Sequence, residues 1–332
     1  SQTGAAGTNG QGQRVSRLIR VTADASNAYR TAVPGSEVVI LGTASTWDNI
    51  GDPAAEQTDL TAPWTCGPAG AYVDDCIPAD GLSHSIGSVQ FGDDGALYVG
   101  NGDAASFTTV DPKALRSLHV DSLAGKIMRI DPLTGQGLPG NPFWDGNGAS
   151  NRSRVWQLGL RNPYRFRLEP GSGRLWVGDV GWSKWEELNQ APAGADFGWP
   201  CYEGGNGQLL EQPGYAALAE CQDYLASNNA TAAPYGYLHV PGLGGAILAG
   251  EFYTHTKWPP EYRDKLFIAD YALTRLDYVD TTGGAAIVTP FATDYLAVDI
   301  ALGPDGDLYT ANLVDDSIER IVFTGSPPPV SY

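Results

Sequence analysis

Long apolar runs, basic residues, methionine and metal-type cysteine spacings are scarce or missing in this sequence, and each shortage narrows what the chain does. No apolar stretch approaches the roughly 20 residues that span a bilayer, so the sequence predicts no membrane span. Lysine and arginine number 20 against 38 acidic residues, a formal net charge of −18. Such a surface repels phosphate backbones and argues against nucleic acid as a partner. The four histidines are scattered and no Cys-x-x-Cys occurs, which argues against zinc. No Gly-x-Ser-x-Gly elbow or paired-acid arrangement marks a hydrolase. Only four cysteines are present: Cys66 and Cys76, then Cys201 and Cys221. Two local disulfides are the simplest of three possible connectivities. An even cysteine count with a single Met fits an exported protein, secreted or periplasmic. A start at Ser1 without initiator Met or signal peptide reads as processed or trimmed. Asn151-Arg152-Ser153 and Asn229-Ala230-Thr231 are glycosylation sequons.

What is abundant is turn-forming: 42 Gly and 23 Pro punctuate the chain. One pattern recurs, a Gly- or Asp-bearing turn followed by a short strand with a central aromatic. It is read in GDDGALYVGNGD (92–103), PGSGRLWVGDVG (170–181), YRDKLFIADY (262–271) and GPDGDLYTANL (303–313). Asp-Gly predicts type I′ hairpin turns, and the β-branched and aromatic residues after it suit a sheet. Further strands are expected in 17–23, 36–42, 125–132 and 274–280. Many short strands without helices of comparable length predict an all-β propeller or sandwich. Recurrence at intervals of very roughly 40–90 residues favours blades with insertions. Two insertions, 43–81 and 201–247, each bracket a cysteine pair. Residues 1–13 read as a flexible segment, 14–325 as the propeller and 326–332 as a Pro-rich linker or tail.

Two segments carry more than fold: LSHSIGSVQFGDDGALYVGNGD (82–103) and QLGLRNPYRFRLEPGSGRLWVGDVG (157–181). Together they resemble the soluble glucose/sorbosone dehydrogenases, propellers that oxidise sugars with pyrroloquinoline quinone (PQQ). The resemblance spans about residues 80–325 and implies a six-bladed β-propeller. It also implies a first blade that is incomplete here: the chain is then a fragment, pairs with a missing N-terminal segment or closes with fewer blades, and it is read as one that further modules of a longer chain accompany. His84 matches the family's catalytic base, a role suited to an imidazole that titrates near neutral pH. Asp103 matches the aspartate that orients sugar hydroxyls. Arg161-Asn162-Pro163 matches the motif whose arginine and asparagine hydrogen-bond PQQ. Gly181 and Trp182 stand where a Gly-Pro pair donates carbonyls to Ca²⁺, with Glu186 or Glu187 as an outer carboxylate and Asp179 nearby. Electrons would leave to an external acceptor.

The chain also departs from that pattern. The family lysine position falls on Ala272, leaving Arg275 as the nearby cation, and residues 291–306 contain no Lys or Arg where two arginines are expected. A tricarboxylate cofactor needs several cationic donors. The departures therefore motivate an alternative: a non-catalytic secreted propeller that binds glycan or a protein partner, with structural calcium and the PQQ site lost. The tryptophans Trp182, Trp185 and Trp199 are expected around the calcium loop.

Overall fold

Strands form almost wherever β-branched and aromatic residues lie between Gly/Asp turns, and the sheets they build follow the order of the chain. The structure, a computed structural model, describes residues 15–46, 64–227, 229–282 and 286–325. The expected flexible segment 1–13 and tail 326–332 lie outside the described residues. The chain divides into two units, residues 1–162 with 193–201 and 212–229, and residues 163–192 with 202–211 and 230–332.

In the first unit, β1 (Leu18–Arg20) and β2 (Val38–Leu41) form an antiparallel ribbon. Next come β3 (Ser88–Phe91), β4 (Leu97–Asn101), β5 (Lys126–Ile130) and β6 (Val155–Gln157), a four-stranded antiparallel meander. Ile40, Leu41, Leu97, Val99, Met128 and Ile130 make its apolar core. Each such side chain contributes about 1.5–3 kcal/mol on full burial. Two short helices belong here, α1 (Asn151–Arg154) and α2 (Ala219–Ser227). Both expected local disulfides form, Cys66–Cys76 and Cys201–Cys221.

The second unit holds β7 (Pro163–Leu168), β8 (Leu175–Asp179) and β9 (Trp185–Gln190). A small ribbon follows, β10 (Tyr202–Glu203) with β11 (Leu210–Glu211), and then β12 (Tyr235–Leu238) pairs with β9 as the fourth strand of that sheet. A second four-stranded meander is β13 (Ile247–Phe252), β14 (Leu266–Asp270), β15 (Arg275–Asp280) and β16 (Ile287–Thr293). The last sheet has three strands, β17 (Asp299–Leu302), β18 (Leu308–Asn312) and β19 (Ser317–Ile321). Trp176, Leu188, Ile247, Phe252, Leu266 and Val279 interleave from two of these sheets.

The architecture among the described residues is therefore all-β, with four sheets of propeller-blade type and few helices. The recurring turn–strand pattern has one structural meaning. Its four copies are β4, β8, β14 and β18, the second strand of each sheet, hydrogen-bonded on both sides. Three of them, β4, β8 and β14, are buried at every position.

Three expectations change. The Asp-Gly turn before β4 is not type I′: only Gly95 takes positive φ (78°), and its N–H reaches Gly92 O at 2.9 Å. Five residues separate the strands, so a type I turn completed by a left-handed glycine spans the gap, and the mirror-image turn of a two-residue loop is not needed. The insertion 201–247 contains helix α2, whose sequence AECQDYLAS has no apolar stripe to announce it. The sequon at Asn151 is not available to a glycan, because this side chain is 2% exposed and bonds Val73 O and Asp121 O.

Candidate active site

The site in the first unit is assembled at strand ends. Asp103 follows β4 after Gly102, and Arg161 follows β6 by four residues. Asp103 N–H donates to Arg161 O at 2.8 Å, and Gly125 N–H donates to Gly102 O at 2.9 Å, so the two chain turns are stitched together. Gly102 is required by proximity: a Cβ there would stand 2.5 Å from His84 O. His84 itself takes a left-handed backbone, φ 56°, an uncommon state for a non-glycine residue that is concentrated at functional sites.

His84 is 7% exposed and Asp103 1%. His84 Nδ1 lies 2.8 Å from Asp103 Oδ1. Asp103 Oδ1 also accepts from Ala105 N–H at 3.0 Å, and its Oδ2 accepts from Trp199 Nε1–H at 2.8 Å. The Arg161 guanidinium lies 5.4 Å over the Trp199 ring, which meets Tyr215 edge-on at 5.2 Å. Burial lowers the His84 pKa below its ordinary value, the Arg161 charge lowers it further, and Asp103 opposes both. Burial would raise Asp103, but the hydrogen bond and charge of His84, with Arg161 and Ala105 N–H, hold it lower. A neutral imidazole beside an ionised carboxylate is the state consistent with both groups. The tautomer is then set: Nδ1–H donates to Asp103, and Nε2 is the acceptor that can take a proton.

A second group lies in the other unit at the β8–β9 turn. Gly181 N–H reaches Glu186 Oε1 at 3.3 Å, and Trp182 N–H donates to Glu203 Oε1 at 2.5 Å. Glu186 is 0% exposed. Its Oε1 is 2.6 Å from His239 Nε2, and its Oε2 accepts from Ile247 N–H at 2.9 Å. Burial raises its pKa against those donors. Glu187 is raised well above the usual carboxylate range, by burial first and then by the like charges of Asp179 and Glu203. Arg275 borders this group: it lies 4.0 Å over the Tyr237 ring and 3.2 Å from Asp277 Oδ2. Tyr237 is the register partner of Glu186 across β12 and β9.

The structure thus brings His84, Asp103 and Arg161 together, with Asn162 next in chain. Gly181, Trp182 and Glu186 form their own group, and Arg275 stands at its border. Sequence reasoning placed Trp199 with the calcium loop, whereas its indole binds Asp103 from 96 positions away. His239, the partner of Glu186, is 53 positions distant. No local signal announces either partnership.

The donor set can be weighed against the cofactors that the resemblance implies. One guanidinium and one carboxamide, from Arg161 and Asn162, suit one anionic or carbonyl edge of a quinone such as PQQ. Other buried cations of this unit serve the fold. Arg116 Nη1 pairs with Asp80 Oδ2 at 2.5 Å, and Lys126 Nζ donates to the carbonyls of Arg116, Ser117 and Ala124. For calcium, the like-charge strain on Glu187 beside Asp179 and Glu203 suits a cation. Glu186 and Glu187 alike have both oxygens engaged within the protein, Glu187 Oε1 accepting from Gly204 N–H at 2.6 Å and its Oε2 from Asn189 Nδ2–H at 3.1 Å. Among the described residues no three His, Cys, Asp or Glu side chains converge as a metal cage.

Comparison with known proteins joins this geometry to a lineage. The family model described as glucose/sorbosone dehydrogenase matches residues 75–321. Aldose sugar dehydrogenase YliI of Escherichia coli K12 is 29% identical over 242 residues, covering 71% of this chain and 58% of that protein. A crystal structure of a glucose dehydrogenase is 25% identical with a TM-score of 0.53, covering 71% of this chain and 63% of that one. The PQQ-bound form of an aldose sugar dehydrogenase from Streptomyces coelicolor is 23% identical with a TM-score of 0.51, covering 71% and 57%. The chain spans a little over half the length of the curated Escherichia coli relative.

Proposed function

The chain belongs to the glucose/sorbosone dehydrogenase family, and on that footing we propose that it oxidises a hydroxyl of a sugar or polyol with His84 as the base. The observation that carries this reading is the buried pair of His84 Nδ1 and Asp103 Oδ1 at 2.8 Å. A histidine held neutral, with one tautomer enforced, is prepared to take a hydroxyl proton on Nε2. Asp103 was expected to hold substrate hydroxyls. Its oxygens are occupied by His84, Ala105 N–H and Trp199, so we give it the task of orienting the base. Arg161, braced on Trp199, presents positive charge beside the base, and Asn162 adds a carboxamide.

PQQ, when bound, supplies the hydride acceptor. Arg161 and Asn162 are the residues that would hold it, with Arg116 committed to Asp80 and Lys126 to backbone carbonyls. Calcium would take the carbonyls of Gly181 and Trp182, with Glu186 or Glu187 as an outer carboxylate and Asp179 nearby in sequence. Closure into six blades, export from the cytoplasm and transfer of electrons to an external acceptor complete the proposal. The binding-only alternative is not favoured, since the family match covers both motif segments.

The test is calorimetric titration of PQQ into calcium-loaded protein, followed by dye reduction with common aldoses. Stoichiometric binding with sugar-dependent reduction, abolished by His84→Ala, is the expected result. Full reduction by His84→Ala, or no PQQ binding, would sink the reading.

A further inference from the structure

A cavity of about 550 Å³ opens in the first unit, away from the residues around His84. Its walls come from both disulfide-tied segments. Tyr72 and Asp74 lie inside the Cys66–Cys76 loop, and Glu220 is the neighbour of Cys221 on α2. His119, Asp121 and Ser150 complete the polar lining. The volume lies within the roughly 300–1,000 Å³ of small-ligand sites.

We propose that this cavity binds a saccharide, an uncharged ring rich in hydroxyls, independently of the site around His84. The first argument is organisation. Tyr72 Oη is 2.6 Å from His119 Nδ1, and His119 Nε2 bonds Glu220 Oε1, so three walls are linked through one imidazole. The Tyr72 and His119 rings sit 5.8 Å apart, tilted by 46°. Asp121 is clasped by Arg152 at 2.6 and 2.5 Å. Asn151 binds the floor: its N–H donates to Asp74 Oδ1 at 2.8 Å, and its carboxamide bonds Val73 O, Asp121 O and Asp75 N–H. Acceptors ordered before a ligand arrives cost little further entropy on binding.

The second argument is chemical selection. Among the described residues no lysine or arginine lines the cavity, so phosphate and carboxylate ligands meet no countercharge there. Carboxylates and the Tyr72 and Ser150 hydroxyls instead keep lone pairs that accept hydrogen bonds from a ligand's O–H groups. Between them lie Ala69, Gly70, Ala71 and Val120, apolar surface that a bare cation would leave without contact. A pyranose presents both surfaces at once, hydroxyls at the rim and C–H groups on the faces, the latter suited to the Tyr72 ring.

The test titrates cellobiose, maltose and chitobiose into the full chain without added quinone, so that no turnover occurs. One of them is expected to bind saturably. Glu220→Ala should weaken that binding about tenfold, the loss of a hydrogen bond to a charged group. Ala71→Trp should abolish it by filling the cavity from an exposed position, with an unchanged melting temperature as the check on folding. His84→Ala should leave it intact, and Glu220→Ala should leave sugar-dependent dye reduction intact. Binding lost in His84→Ala and kept in Ala71→Trp would move the saccharide to the other site and overturn the proposal. Absence of saturable binding by all three disaccharides would overturn it too, as would tighter binding of spermidine that Ala71→Trp abolishes.

Discussion

His84 Nδ1 has a carboxylate at 2.8 Å, and that carboxylate has an indole N–H at 2.8 Å, so the imidazole proposed as the base is oriented from two layers outward. Asp103→Asn keeps the shape but lets the imidazole adopt the other tautomer. Turnover should fall by about 10²- to 10⁴-fold with little change in KM, read from steady-state dye reduction. Trp199→Phe removes a donor from a buried carboxylate, which costs about 1–3 kcal/mol, and a denaturant midpoint measurement should show it. Burial and Arg161 place the His84 pKa below its ordinary 6.5. The acid limb of kcat/KM should then lie below that pH, and an acid limb above it would contradict a neutral, buried base. The stability term has the same direction. The unfolded chain protonates this histidine before the folded one does, so its contribution is present above pH 6.5 and is lost as pH falls through the lower folded value. At this scale the motifs showed His84, Asp103, Arg161 and Asn162 as candidates. Trp199 escaped because a hydrogen bond across 96 positions leaves no trace in local spacing.

Elements were legible to the degree that local chemistry decides them. The four copies of the turn–strand pattern proved to be the second strands of four sheets, and in β4, β8 and β14 burial on both faces demands apolar and small residues. Edge and outer strands carry weaker signals. β12 lies within the 201–247 insertion, after β10, β11 and α2, and its partner β9 ends 45 positions before it begins. The insertion is ordered in part by its crosslink. Cys201→Ala with Cys221→Ala opens a loop with a sequence separation of 20 and should lower stability by roughly 3 kcal/mol, a clear drop in melting temperature by calorimetry. Gly102→Ala should be worse than an ordinary strand substitution and should reduce turnover as well, because its Cβ would press on His84 O at 2.5 Å.

For the whole molecule, 38 acidic against 20 basic residues make association with an anionic cofactor sensitive to ionic strength and to bound cations. Calcium should raise the melting temperature and a chelator should reverse the rise; Glu187→Gln should shrink that response if the carboxylates beside Glu187 are where the cation sits. Composition and pattern settled the class of the chain: turn-rich, rich in short strands, acidic and without an apolar span, with two local disulfides as the simplest of three pairings. The paired motifs settled its family, since runs of twenty or so residues around a turn hold enough local constraint to be recognised. Tertiary structure decided the rest. It chose a left-handed glycine turn over the mirror-image one, closed Asn151 to glycans, gave Trp199 to Asp103 and His239 to Glu186, and made a cavity from loops stapled far apart in the chain. Each of those outcomes depends on which distant groups arrive within hydrogen-bonding reach, and burial makes such pairings decisive because a polar group hidden from water must find its partner wherever the fold supplies one.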